Sequence, residues 1–230
     1  MNCSLLVSRL MPGIAVAVFL VACASGPPPR DWQMNAKGSL ERALNAYLTG
    51  NARVEVQEFQ RARGEIAKTG RADLLARAEL MRCAARVASL EFDECEGFVK
   101  LRADTDLPER AYADYLAARI SPQDVALLPP QHREVAAAGS AAAAALQRMQ
   151  DPLSKLVACG VLFQFGWVDD RVVALAVDTA SAEGWRRPLL AWLHVQARRA
   201  AAAGDIDAAE RLRRRIGLVQ GDAEFGITAP

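Results

Sequence analysis

The chain has 230 residues, with 28 basic and 27 acidic side chains and a formal net charge of +1. That balance excludes the electrostatic footprint of a nucleic-acid binder and any general attraction to anionic lipid. Aromatic residues make up only 6% of the chain, and an apolar set dominated by alanine, with Leu, Arg and Glu, favours helix over strand.

The first 22 residues read as a targeting segment. Arg9 supplies one positive charge, Leu10 to Ala22 is almost wholly apolar, and the run stops at Leu20-Val21-Ala22-Cys23. About 13 apolar residues fall short of the ~20 that a membrane-spanning helix needs, and the layout of basic start, apolar middle and small end is that of a signal. The last four residues resemble the lipobox of bacterial lipoproteins. The resemblance implies cleavage before Cys23 and lipid attachment at Cys23, with the protein anchored in the bacterial envelope. Ala24 in place of an acidic residue after that cysteine implies sorting to the outer membrane, facing the periplasm. Two or three acyl chains would make the attachment effectively permanent, since each buried methylene contributes ~0.8 kcal/mol. Ala22-Cys23-Ala24 also fits an ordinary secretory cleavage site, which would release a soluble protein from Ser25, and an uncleaved anchor is the third alternative. The place of the cysteine, directly behind small residues at the end of the run, decides for lipidation. Pro27-Pro28-Pro29 then favours an extended tether. Residues 23–36 are read as that tether, 37–220 as a helical domain and 221–230 as a tail.

From there the sequence predicts helices near 38–49, 52–68, 71–90, 94–102, 108–120, 122–128, 131–150, 152–165, 169–183, 187–203 and 205–216. Asp151-Pro152 places a capping acceptor before a proline at the first helical position. Ser121-Pro122-Gln123-Asp124 resembles a capping box, and Gly204-Asp205 is a stop followed by a cap. Arg171 to Val177 is the best strand candidate, but its helical surroundings assign it to a helix. Pro129-Pro130 blocks any helix running through it. With the alanine run 141–145 it marks a seam between two helical halves.

Segment 71–90 carries two apolar stripes. Leu74, Ala78, Met81, Ala85 and Ala88 share one face; Ala76, Leu80, Cys83, Val87 and Leu90 share the opposite one, with Arg77, Glu79, Arg82 and Arg86 between them. Such a helix is packed on both sides, as in stacked hairpins or at the centre of a bundle. The stretch from Leu193 to Leu212 resembles a tetratricopeptide-type hairpin, with small residues in both helices around the Gly204-Asp205 turn. Ala43, Ala46, Gly50, Phe59 and Ala62 form a weaker version. The two turns lie 154 residues apart, not a multiple of the usual ~34, so the match is to the hairpin and sets no repeat number. The expected fold is all-α: antiparallel hairpins stacked as a short tetratricopeptide-like solenoid or a helical bundle.

Three cysteines remain after Cys3 and Cys23. Cys159 lies in an apolar run and reads as core. Cys83 and Cys95 are the close pair. In a simple hairpin their axial offset would be ~7 Å, near the limit for a disulfide, and a loop running backward would close it. A disulfide and two buried thiols both stay open here.

Chemistry is hard to find. His132 and His194 have no partner at i+3 or i+4, and no metal-ligand spacing occurs. No nucleophile elbow, Walker loop or dinucleotide fingerprint is present. Asp93-Glu94 and Asp169-Asp170 sit at helix starts, where acids favour the helix dipole. Arg186-Arg187 and the cluster Arg211, Arg213, Arg214 and Arg215 are candidate contacts for an anionic partner, against the plainer reading of a solvated face. Trp185 and Trp192 are candidates for a groove beside the first pair, with core packing as the alternative. The expectation is a lipid-anchored scaffold docking a protein or peptide partner, with no cofactor, metal or nucleic acid. The alternatives are a helical envelope enzyme acting on cell-wall material and a carrier of a small apolar ligand.

Overall fold

In the computed structural model, residues 29–221 are described; the signal, Cys23 and residues 222–230 lie outside them. The described residues form eleven α-helices and three short 3-10 turns, with no strand among them. The helices are α1 (Asp31–Thr49), α2 (Ala52–Ala67), α3 (Ala72–Ala88), α4 (Glu96–Val99), α5 (Leu107–Leu116), α6 (Pro130–Ala138), α7 (Ala143–Arg148), α8 (Pro152–Gln164), α9 (Asp170–Ala182), α10 (Arg186–Ala202) and α11 (Ile206–Gln220).

Several starts follow from single side chains. The carboxylate of Asp151 accepts from the Ser154 N–H at 2.7 Å, that of Asp169 from Val172 at 2.9 Å and that of Asp205 from Ala208 at 2.9 Å. Each satisfies a helix N–H that has no intrahelical partner. Asn51 does the same for Val54 at the head of α2, at 3.2 Å.

Four expectations need correction. α1 begins at Asp31, so residues 31–36 of the expected tether are helical. Gln33 accepts from the Arg30 N–H at 2.9 Å, and Ala36 and Ser39 are buried, which extends the helix back towards the prolines. The helix expected over 131–150 breaks at Gly139, whose φ of 54° and ψ of −126° end α6; a short 3-10 turn and α7 follow. The helix expected over 94–102 is only the one-turn α4 and a 3-10 turn at Arg102–Asp104. The span 122–128 is 3-10 (Pro122–Leu127), and Ser121 spends its hydroxyl on Asp124, 2.7 Å away, without capping the backbone.

Successive helices pack as two runs, α1–α2–α3 and α8–α9–α10–α11, which lie against each other through α3 with α8 and α1 with α10. The two stripes of α3 part accordingly. Ala78, Leu74 and Ala85 pack towards α1 and α2 with Ala36, Phe59 and Tyr47, while Ala76, Leu80, Cys83 and Val87 belong to the main core with α5 and α8. α8 is the centre of that core: Leu156 through Leu162 are all buried. At Gly160 a Cβ would run into the carbonyl of Val87, so glycine sets how closely α8 approaches α3. Trp192 of α10 is fully buried, donates Nε1–H to the Ala88 carbonyl at 3.0 Å and meets Phe163 edge-on at 5.8 Å. Its place is therefore the core, not a groove.

After α3 the chain turns sharply at Leu90 (φ 58°) and runs back along the helix it has just left. Arg86 of α3 pairs with Asp93, whose other oxygen accepts from the Cys95 N–H at 2.9 Å. This return brings the Cα atoms of Cys83 and Cys95 to 5.8 Å, and the two cysteines are joined in a disulfide.

Candidate functional site

A cleft of about 560 Å³ lies between α3, α5, α8 and the Pro129-Pro130 turn. α3 contributes Arg77, Leu80, Met81 and Ala84, spaced so that they fall on one face. From α5 come Pro108, Glu109 and Tyr112, and from α8 come Leu153, Ser154 and Val157; Leu127 to Gln131 and Arg133 close the remaining side. The walls are mostly apolar. Met81, at 39% exposed, stands at the mouth, and Leu107 beside Pro108 is also exposed.

Few polar groups face this cleft. Glu109 is 7% exposed and lies in the first turn of α5, where negative charge suits the helix dipole. Its Oε1 accepts from Arg77 Nε at 2.7 Å, while its Oε2 is buried without a hydrogen-bond partner. Arg77 is half exposed. Arg133 Nε donates to the Leu128 carbonyl at 2.7 Å and so holds the diproline turn in place.

Behind Tyr112 lies an aromatic cluster. His132 is 1% exposed, with its ring centroid 5.5 Å from Tyr112 and 5.1 Å from Tyr115. Its Nδ1 has no partner. Burial pushes the imidazole down to about 4 against a weaker opposing pull from Asp151, so His132 is neutral near pH 7. Burial likewise raises both tyrosine phenols.

Two further concavities flank the core. One of about 420 Å³ is lined by Tyr115, Val125, Val135, Val161 and Trp167; Trp167 is 42% exposed and stacks on Phe165 at 4.3 Å. The other, about 520 Å³, is polar and surrounds the disulfide with Arg63, Glu79, Arg82 and Arg86.

The residues singled out in the sequence scatter. Cys23 lies outside the described residues. Arg187 is committed within the fold: Nε donates to the Tyr47 carbonyl at 2.9 Å, Nη1 meets Glu91 at 3.2 Å, and the guanidinium stacks 4.4 Å over the Tyr47 ring. Arg186 caps the Gln220 carbonyl at 2.9 Å and Arg215 donates to Ser181 at 3.2 Å. Arg211, Arg213 and Arg214 are exposed on α11. Cys159 is fully buried, its thiol pushed up to about 12 by burial, and His194 is exposed. Sequence reasoning missed Glu109 altogether. It placed Arg77 only as a charge between stripes. The two are 32 positions apart, and nothing in either local pattern links them.

Among the described residues no helix is long and apolar enough to cross a membrane, and no three His, Cys, Asp or Glu side chains gather as metal ligands. Comparison with protein-family models, curated proteins and solved structures finds no match.

Proposed function

We propose that this chain is a lipid-anchored, periplasm-facing helical scaffold of the bacterial envelope, held by acyl chains on Cys23, which docks a peptide segment of a partner protein in the α3–α5–α8 cleft. The observation that carries the reading is the cleft itself: large, open at Met81, apolar on most of its wall and marked by one ion pair between a half-exposed Arg77 and a buried Glu109. Recognition sites of this kind combine apolar walls with a few fixed polar groups. The two runs of successively packed helices support the tetratricopeptide-like hairpin reading, with the second run laid beside the first. An envelope enzyme would need a titratable pair facing substrate; here Glu109 is tied to Arg77 and His132 sits behind Tyr112.

The carrier of a small apolar ligand is the second reading, favoured by the cleft volume of about 560 Å³, which falls within the ~300–1,000 Å³ of small-molecule sites. A photoreactive benzoylphenylalanine at position 81, activated in living cells, separates the two. A discrete crosslinked protein at position 81, absent from position 213 and diminished by Cys23→Ser, is the expected result. Lipid or metabolite adducts without a protein product would overturn peptide docking in favour of the carrier.

A further inference from the structure

We propose that the cleft reads a main-chain carbonyl of the docked peptide through two hydroxyl donors, Tyr112 Oη–H and Ser154 Oγ–H. This rests on the peptide-docking reading above and names what the cleft recognises.

Ser154 stands in the first turn of α8 and is only 7% exposed, yet it lines the cleft. Its backbone N–H is taken by Asp151 at 2.7 Å, while its hydroxyl forms no hydrogen bond among the described residues. Tyr112 lines the cleft from α5, half-buried, and its hydroxyl likewise has no partner there. Asp151 places the two in one neighbourhood: its carboxylate holds the Ser154 N–H, and its charge acts on the Tyr112 phenol. Access separates these hydroxyls from the groups around them. Glu109 Oε2, Tyr115 Oη and His132 Nδ1 are unpartnered and sealed within the protein, whereas the Tyr112 and Ser154 oxygens are not among the sealed atoms. A hydroxyl on a nine-tenths-buried side chain that lines a cleft takes its partner from whatever fills that cleft.

The surroundings set the polarity of the ligand. The positive end of the α8 dipole lies at this turn and favours the negative end of a ligand dipole. A full negative charge is opposed by Asp151 and Glu109, and a full positive charge by the helix end and Arg77. A neutral acceptor is opposed by neither. Burial keeps the Tyr112 phenol protonated at neutral pH, so it offers an O–H. A carbonyl oxygen has two lone pairs and accepts from both hydroxyls at once, whereas an N–H engages only one of them.

The carbonyl also limits the shape of the segment. Carbonyls inside a helix are already engaged, except in its last turn. The stretch over Tyr112 and Ser154 is therefore extended or ends a helix. Apolar side chains beside it fill the space between Leu80, Met81, Leu153 and Val157.

Random heptapeptides displayed on phage, selected on the full-length lipidated protein in detergent micelles, supply the probe. The best binder is then synthesised together with analogues in which each backbone carbonyl in turn becomes a thiocarbonyl, a weaker acceptor. Wild type is expected to lose about fivefold in affinity at one thiocarbonyl position, the scale of one neutral hydrogen bond. Tyr112→Phe and Ser154→Ala each remove one oxygen and keep the shape of the wall. Each is expected to weaken the parent peptide by about the same factor, and the double variant to be indifferent to that thiocarbonyl. Far-UV circular dichroism and thermal unfolding establish that the variants are folded. If every thiocarbonyl analogue binds like its parent, if the double variant suffers the same loss, or if neither single variant weakens the parent peptide, the carbonyl-reading role is overturned while peptide docking stands. If no peptide is enriched, or enriched peptides bind Met81→Arg as tightly as wild type, both fall.

Discussion

The two helical runs are held together by different physics. In α1, α2, α3 and α5 the interfaces contain buried glutamates, each facing an arginine on a neighbouring helix: Glu58 with Arg42 at 2.9 Å, Glu55 with Arg82 at 2.8 Å, Glu79 with Arg63, and Glu109 with Arg77 at 2.7 Å. In α9 to α11 no buried polar or charged side chain occurs among the described residues, and the last one along the chain is Ser154 in α8. There the interface is Leu156, Val157, Val161, Val173, Val177, Trp192 and Leu193. Buried ion pairs add little net stability, because desolvation offsets most of the attraction. The role expected of them is to penalise wrong registers between alanine-lined helices, whose small side chains specify little on their own. The C-terminal run gains both stability and register from shape. The cleft lies where the two kinds of interface meet, which is why an ion pair and apolar walls share it.

The largest effect should come from the dry side. Trp192→Ala removes a fully buried indole and leaves the Ala88 carbonyl without its donor, at about 4 kcal/mol of folding free energy. Urea unfolding measures it; a cost below about 1 kcal/mol would mean that the C-terminal core is not the main source of stability.

Next comes acid, acting on the polar side. His132 has a folded value of about 4 against 6.5 unfolded. Protonation therefore favours the unfolded chain. The contribution is fully present above pH 6.5, is lost progressively down to pH 4, and reaches about 3 kcal/mol by linkage. His132→Phe should flatten the stability profile between pH 6.5 and 4. Glu58, held below the ordinary carboxylate range by its hydrogen bond to Arg42, acts in the same direction but in a lower window. Its contribution is present above the unfolded carboxylate value and disappears as pH falls through the depressed one, leaving a residual slope in the His132→Phe profile below about pH 4.5.

A smaller effect tests what the ion pairs are for. Arg63→Met should cost about 2 kcal/mol by leaving the buried Glu79 without its counter-charge. Glu79 also fills the space in which any Cβ at Gly97 would lie, so a side chain of similar size must remain there. Arg63→Met with Glu79→Leu should therefore return to within about 1 kcal/mol of wild type. If the double variant is as unstable as the single one, the pair supplies stability and not register.

Much of this was legible beforehand. Capping residues with local consequences, Asp151, Asp169 and Asp205, mark their helices in the sequence, and the double stripe of α3 is a periodicity that needs no tertiary knowledge. What was not legible depends on distant partners. Gly139 sits beside an alanine run of high helix propensity, and the break shows only in its backbone, at φ 54° and ψ −126°. The early start of α1 depends on burial against α2. The cleft pair Arg77–Glu109 joins two ordinary-looking charges on separate helices. Cys83 and Cys95 were an open question because the return of the chain through Leu90 carries no strong turn signal; Leu is a poor fit for a positive φ.

That turn leads to the smallest effect. At every left-handed position of the C-terminal run the residue is glycine: Gly166, Gly184, Gly204 and Gly221. The N-terminal side has Leu90, Cys95 and Ala118 in this conformation, besides Gly50 and Gly70. Ala118 closes α5 with two bonds, Ala118 N–H to the Tyr115 carbonyl at 3.0 Å and Arg119 N–H to Asp114 at 2.7 Å, the usual place for glycine. An L-residue there costs about 1 kcal/mol, part of which glycine returns through its freer unfolded chain. Ala118→Gly should thus stabilise by about 0.5 kcal/mol in urea unfolding. Leu90→Gly relieves the same backbone penalty but gives up a side chain packed against the main core, so it should destabilise instead. A gain at both positions would mean that backbone strain outweighs packing on this side of the molecule, and the contrast between the two runs would then lie in their turns as much as in their interfaces.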